Sequence, residues 1–133
     1  MFRVPSLTAV LLTLPLWLMS QMVHALEIKP YSAAALQTLQ AEGKPVAVHF
    51  HADWCPTCRA QSLSFQAMKQ DAQLKDVTLL VANYDTEAAL KQRMQIRAQS
   101  TLVVFRGKQE TARQGGYTEV APLKAALLTA VAR

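Results

Sequence analysis

The two cysteines of the chain, Cys55 and Cys58, are three positions apart, between an apolar run at 46–50 and a helix-like segment that includes Pro56. Backbone N–H groups at a helix start, together with the positive end of the helix dipole, stabilise an anion. Proline is favoured in the first helical turn. We therefore expect Cys55 to be an exposed thiolate at neutral pH. Cys58, one turn later and directed inward, can close a disulfide with it.

The first 25 residues have the pattern of a targeting segment. Arg3 is their only charged residue, the run Val4 to Met19 is apolar, and the stretch ends in Val23-His24-Ala25. This pattern predicts a secretory signal peptide over 1–25, cleaved after Ala25. An uncleaved membrane anchor is the alternative. Either form places residues 26–133, a single domain, in the periplasm or another exported location.

Charge and cysteine content narrow the possible functions. The chain has 14 Lys and Arg residues against 9 Asp and Glu, a net charge of +5. The basic residues are scattered and are not interleaved with aromatic residues, so no nucleic-acid site is predicted. A purely structural disulfide is a poor interpretation of the two cysteines, because closing so small a loop removes little entropy from the unfolded chain.

Strand and helix signals alternate along the chain after the first 25 residues. Ser32 is expected to cap the first helix and Gly43 to end it, while Asp85 or Thr86 is expected to cap the third. The predicted order is α-β-α-β-α-β-β-α, with elements near 33–42, 46–50, 56–70, 77–82, 86–94, 101–105, 110–113 and 118–132.

Three stretches, 46–59, 80–85 and 96–107, carry a resemblance to the thioredoxin family. The first contains Ala-Asp-Trp before Cys-Pro-Thr-Cys, a far more specific signal than the two cysteines alone. The resemblance implies an α/β, thioredoxin-like fold with a mixed central β-sheet flanked by helices. It also implies a thiol–disulfide oxidoreductase without a cofactor, acting as a monomer on protein thiols and disulfides and served by a membrane-bound redox partner.

The resemblance assigns roles to the motif residues. Cys55 would attack a disulfide and Cys58 would resolve the mixed disulfide. Trp54, Pro56, Thr57 and Ser100 would contact the substrate. Trp54 would form an apolar wall beside the sulfurs, or else be a partly exposed side chain packed on the following helix. Between the two cysteines, proline comes first, as it does in oxidising disulfide donors and glutaredoxins. Exported relatives also include reductants, so both directions of electron flow stay open.

Two positions depart from the family pattern. Ser100 stands where relatives have a cis-proline. Because a cis bond before serine costs about 2.5–4 kcal/mol, we expect a trans bond there and a different presentation of the substrate. His49 stands where relatives have a buried acid. It is either a proton relay for the resolving thiol or a buried histidine paired with a backbone carbonyl.

A metal carrier is the rival hypothesis from another functional class. His49, His51, Cys55 and Cys58 supply two imidazoles and two thiols, which suit copper or zinc. The histidines leave a strand inside the sheet, however, and need not converge on both sulfurs. We therefore favour the oxidoreductase, expect no bound metal, and expect His51 to lie at the surface.

Overall fold

The computed structural model describes residues 25–131, so the predicted signal peptide lies outside the described residues except for Ala25. Within residues 25–131, no helix is both long and apolar enough to cross a bilayer. The elements are β1 (Glu27–Pro30), α1 (Ala33–Ala41), β2 (Pro45–His51), α2 (Pro56–Ala67), a 3₁₀ turn (Ala72–Leu74), β3 (Thr78–Asn83), α3 (Ala88–Met94), β4 (Thr101–Arg106), β5 (Gln109–Gly115) and α4 (Val120–Leu128).

The five strands form one mixed sheet in the order β1-β3-β2-β4-β5. β1, β3 and β2 run parallel, whereas β4 and β5 are antiparallel to their neighbours. β2 is therefore the central strand, with a neighbour on each side, and its carboxyl end leads directly to the two cysteines. This topology confirms the predicted fold class.

Successive side chains of β2 point to opposite faces of the sheet, so this strand contributes to the core on both sides. Val46, Val48 and Phe50 belong to a cluster with residues of α1 and α3, and Ala47 belongs to the opposite cluster with residues of α2 and α4. His49 shares the face of Ala47. It therefore points towards α2, where its ring contacts Phe65 at a centroid distance of 5.1 Å.

The predicted order of elements is correct except for two omissions. The edge strand β1 has exposed ends and the polar sequence Glu-Ile-Lys-Pro, so it lacks the apolar run by which strands are predicted. The 3₁₀ turn is too short to produce a periodic pattern.

Caps explain where helix predictions succeeded and failed. Ser32 caps α1, with its hydroxyl accepting from the N–H of Ala35 at 3.1 Å, as predicted. The predicted cap of α3 is wrong, because Glu87 occupies that position. The backbone N–H of Asp85 instead donates to Asn83, and its carboxylate accepts from Trp54. α2 also ends at Ala67, three residues earlier than predicted.

Candidate active site

Cys55 is the N-cap residue of α2, and Pro56 is the first helical residue. The Sγ atom of Cys55 accepts a hydrogen bond from the backbone N–H of Cys58 at 3.1 Å. A helix N-terminus offers free N–H groups, and here a sulfur takes the place of the usual capping oxygen. The predicted position at a helix start is therefore confirmed.

The predicted exposure of Cys55 is wrong. The residue is only 2% exposed and packs with Ala52, Cys58 and the partly buried Tyr84. The capping hydrogen bond explains this burial, because it directs the sulfur towards the helix rather than outward. A substrate must consequently displace neighbouring atoms to reach the sulfur.

Cys58 is fully buried, as predicted. Its thiol donates to the backbone carbonyl of Phe50 at 3.9 Å. Burial is the main cause that raises the pKa of the Cys58 thiol to about 11, and its hydrogen bond with Cys55 acts in the same direction. Cys58 is thus held as a neutral thiol that must lose a proton before or during its own attack.

His49 is also fully buried, and its Nε2 lies 2.8 Å from Oε1 of Gln61. Its partner is thus a side-chain amide and not the backbone carbonyl that we considered from the sequence. Nδ1 has no hydrogen-bond partner. Burial lowers the pKa of His49 to about 4, against the opposing effect of the Gln61 hydrogen bond. The ring is therefore neutral at physiological pH.

Gln61 is a residue of the site that sequence reasoning missed. It is fully buried in α2, between His49 on β2 and two backbone carbonyls on other segments. A signal was available, since Gln61 lies three residues after Cys58 and four before Phe65. This spacing places a polar amide on the buried face of the helix, where it needs partners.

Ser100 is preceded by a trans peptide bond, as expected, and has a left-handed backbone with φ of 61°. Its N–H donates to the carbonyl of Phe50 at 2.9 Å. Its carbonyl accepts from Gln61 at 3.0 Å and from the N–H of Gly116 at 3.3 Å. These three bonds hold a conformation that is uncommon for a residue with a side chain. Both backbone groups of Ser100 are thus used inside the protein.

The other three predicted substrate contacts are neighbours of the buried Cys55 along the chain and reach the surface. Trp54 is 57% exposed, and its indole N–H donates to the Asp85 carboxylate at 2.9 Å. Pro56 is exposed and Thr57 is half-buried. The Trp54–Asp85 bond fixes a large aromatic side chain at the surface next to the buried dithiol.

The four predicted metal ligands do not come together as one set. His49, His51 and Cys58 each offer an atom within 4.8 Å of the others, and Cys55 is not in this group. Both nitrogens of His51 are engaged, Nε2 with Asp53 at 3.1 Å and Nδ1 with the Ser62 hydroxyl at 3.4 Å. A metal at this place would have three protein ligands and would have to displace one of these contacts.

Comparison with known proteins decides the family. The thioredoxin family model matches residues 28–129. The chain belongs to the thioredoxin family of thiol–disulfide oxidoreductases. Among solved structures, Trxlp from Edwardsiella tarda is 36% identical with a TM-score of 0.73, over 76% of this chain and 98% of that one. The predicted family membership is thereby confirmed.

Two curated relatives are much longer than this chain. The thiol:disulfide interchange protein DsbD of Ralstonia nicotianae is 33% identical over 110 residues, which are 74% of this chain and 18% of that protein. The chloroplastic thioredoxin-like protein HCF164 of Arabidopsis thaliana is 35% identical over 86 residues, 62% of this chain and 32% of that protein. The chain therefore spans less than a third of either relative.

Proposed function

We propose that this protein exchanges thiols and disulfides with protein substrates through Cys55 and Cys58. The observation that carries the proposal is the bond from the Cys58 N–H to Cys55 Sγ at the start of α2. It joins the two cysteines of the motif in the reduced state and would strengthen if Cys55 carried negative charge.

The reaction takes place in two displacements. The Cys55 thiolate attacks one sulfur of a substrate disulfide, forming a mixed disulfide and releasing the other substrate sulfur as a thiolate. Cys58 then attacks the Cys55 sulfur, and the bond from Cys55 to the substrate breaks. The substrate is reduced to two thiols while Cys55 and Cys58 are oxidised to a disulfide. The reverse sequence oxidises a substrate dithiol.

His49 acts as the proton acceptor for Cys58 in the second displacement. It is buried, one of its ring nitrogens lies within 4.8 Å of the Cys58 sulfur, it is neutral, and its Nδ1 has no hydrogen-bond partner. Its pKa of about 4 lies far below the value of about 11 for Cys58. A resting imidazolium–thiolate pair is therefore unfavourable, and the proton leaves Cys58 as the new sulfur–sulfur bond forms.

Substrate contacts are assigned to Trp54, Pro56 and Thr57, the neighbours of Cys55 along the chain that reach the surface. The exposure of Trp54 supports this assignment, because tryptophan is enriched in protein interfaces relative to the rest of the surface. Ser100 is also assigned a substrate contact. Its backbone N–H and carbonyl are already hydrogen-bonded inside the protein, so this contact would be made by other atoms of the residue.

Export is the second part of the proposal. The pattern of residues 1–25 supports a signal peptide cleaved after Ala25. A membrane-bound redox partner and a monomeric mature domain belong to the proposal as what the family resemblance implies. The Leu26 nitrogen donates to the carbonyl of Lys69 at 3.3 Å, a bond that a new amino terminus could retain. N-terminal sequencing of periplasmic protein should begin at Leu26. A product that retains Met1 and sediments with membranes would support the anchor instead.

The activity is tested by insulin reduction in the presence of dithiothreitol. Cys55→Ser should abolish the reaction, and Cys58→Ser should accumulate mixed disulfides that are visible on nonreducing gels. The Cys55→Ser/Cys58→Ser double variant is the control that should trap nothing. Full activity in Cys55→Ser would contradict the assignment. The reduction potential of the Cys55–Cys58 couple, measured against glutathione, assigns the direction of electron flow.

A further inference from the structure

We propose that Gln61 is a positioning residue that holds His49 in the Nε2–H tautomer, so that the Nδ1 lone pair is free to take the proton of Cys58. The inference rests on the proposed function and adds to it the residue that decides which nitrogen of His49 is basic.

The orientation of the Gln61 amide follows from its partners. The amide nitrogen lies 3.0 Å from the carbonyl oxygen of Ser100 and 2.9 Å from that of Tyr117. Carbonyl oxygens only accept, so both must face the NH₂ group, which has two hydrogens to donate. A flipped amide would bring three oxygens together and lose both bonds. The Oε1 atom of Gln61 therefore faces His49.

The tautomer of His49 follows from the amide. Oε1 only accepts, so the nitrogen 2.8 Å away must donate, and the proton of the neutral ring lies on Nε2. Nδ1 then carries the lone pair. It is the single buried side-chain nitrogen or oxygen of residues 25–131 that has no partner. Such an atom is costly unless it has a function, and accepting the Cys58 proton supplies one.

The same amide favours the products of proton transfer. When the Cys58 proton moves to Nδ1, the Cys58 sulfur bonds to the Cys55 sulfur and the substrate sulfur leaves with the electron pair of the broken bond. His49 is then an imidazolium, and its Nε2–H bond to Gln61 becomes charge-assisted and stronger. Because positive charge develops on the ring during the transfer, this bond is stronger in the transition state than in the resting state, and that difference accelerates the step. The Nδ1 proton finally passes to the departing substrate thiolate.

The test combines spectroscopy with single-turnover kinetics. In reduced wild-type protein, long-range ¹H–¹⁵N NMR should place the His49 proton on Nε2. Gln61→Met removes the amide at similar length and should shift His49 to the other tautomer or to a mixture. It should also slow resolution of the mixed disulfide by about tenfold or more, as expected when general-base assistance is impaired. Gln66→Met, at an exposed position of the same helix, should change neither the His49 tautomer nor the rate of resolution.

A double-mutant cycle separates positioning from a general structural effect. If Gln61 acts through His49, then Gln61→Met should have little further effect on resolution in a His49→Ala background. Equal slowing in both backgrounds would overturn the inference. An Nδ1–H tautomer in the wild type would overturn it without any variant. In either case Cys55→Ser would still abolish insulin reduction, whereas failure of the proposed function would leave Cys55→Ser active.

Discussion

Burial of the neutral His49 ring should make the protein lose stability in mild acid. In the unfolded chain this imidazole has its ordinary pKa of 6.5, and in the folded protein burial lowers the pKa to about 4. The folded state thus binds the proton more weakly than the unfolded state does. His49 therefore contributes no penalty above pH 6.5, and stability is lost as the pH falls from 6.5 towards 4. At about 1.4 kcal/mol per pKa unit, the total loss is about 3 kcal/mol.

The assay is urea unfolding of the reduced protein at intervals between pH 7.5 and 4. His49→Leu replaces the ring with a side chain that cannot titrate and that fills part of the same space. It leaves Oε1 of Gln61 without its partner, a cost that does not depend on pH in this range. The variant should be less stable than wild type at pH 7. The gap should close by about 3 kcal/mol on acidification, because only wild type must protonate a buried ring.

His51→Leu provides the matched control, since it removes the neighbouring histidine of the same strand. Most of the acid-dependent loss should persist in this variant, because burial of the His49 ring is the main cause of its lowered pKa and His51 contributes less. Unfolding free energies of wild type and His49→Leu that fall in parallel between pH 6.5 and 4 would refute the reasoning. His49 would then be protonated in the folded state as readily as in the unfolded chain, and it could not be the neutral proton acceptor proposed above.

Three further outcomes are expected. Site-resolved alkylation of Cys58 in reduced protein should accelerate continuously from pH 7 to 10, because burial raises its pKa to about 11, and a plateau below pH 9 would contradict this. Reduced protein dialysed against a weak chelator should hold less than one zinc or copper per chain, whereas tight one-to-one binding lost in His49→Ala and in His51→Ala would favour the metal carrier. Leu80→Ala should lower the free energy of unfolding in urea by about 2–5 kcal/mol, because Leu80 is fully buried. Leu63→Ala, at a 73% exposed position, should change it little, and equal effects of the two substitutions would contradict the described core.

Local signals in the chain determined the order of most elements and the position of the dithiol. Ser32 caps its own helix, and Cys55 lies at a helix start because Pro56 and the following residues form that helix. Both features depend on residues within one turn, so their spacing is visible in the sequence. The trans bond before Ser100 belongs to the same class, because its cost is a property of one peptide bond.

Only the tertiary structure decided what surrounds His49 and the sulfurs. Gln61 meets Ser100 and Tyr117, which are 39 and 56 residues away along the chain, and these contacts fix its amide. The Asp85 carboxylate accepts from Trp54, 31 residues away along the chain, and does not cap α3 as predicted. Hydrogen bonds between distant segments form only where packing brings them together, and no local pattern specifies their partners. The sequence therefore identified which residues could do chemistry, whereas the packing of α2 against β2 determined which nitrogen of His49 is free to take part in it.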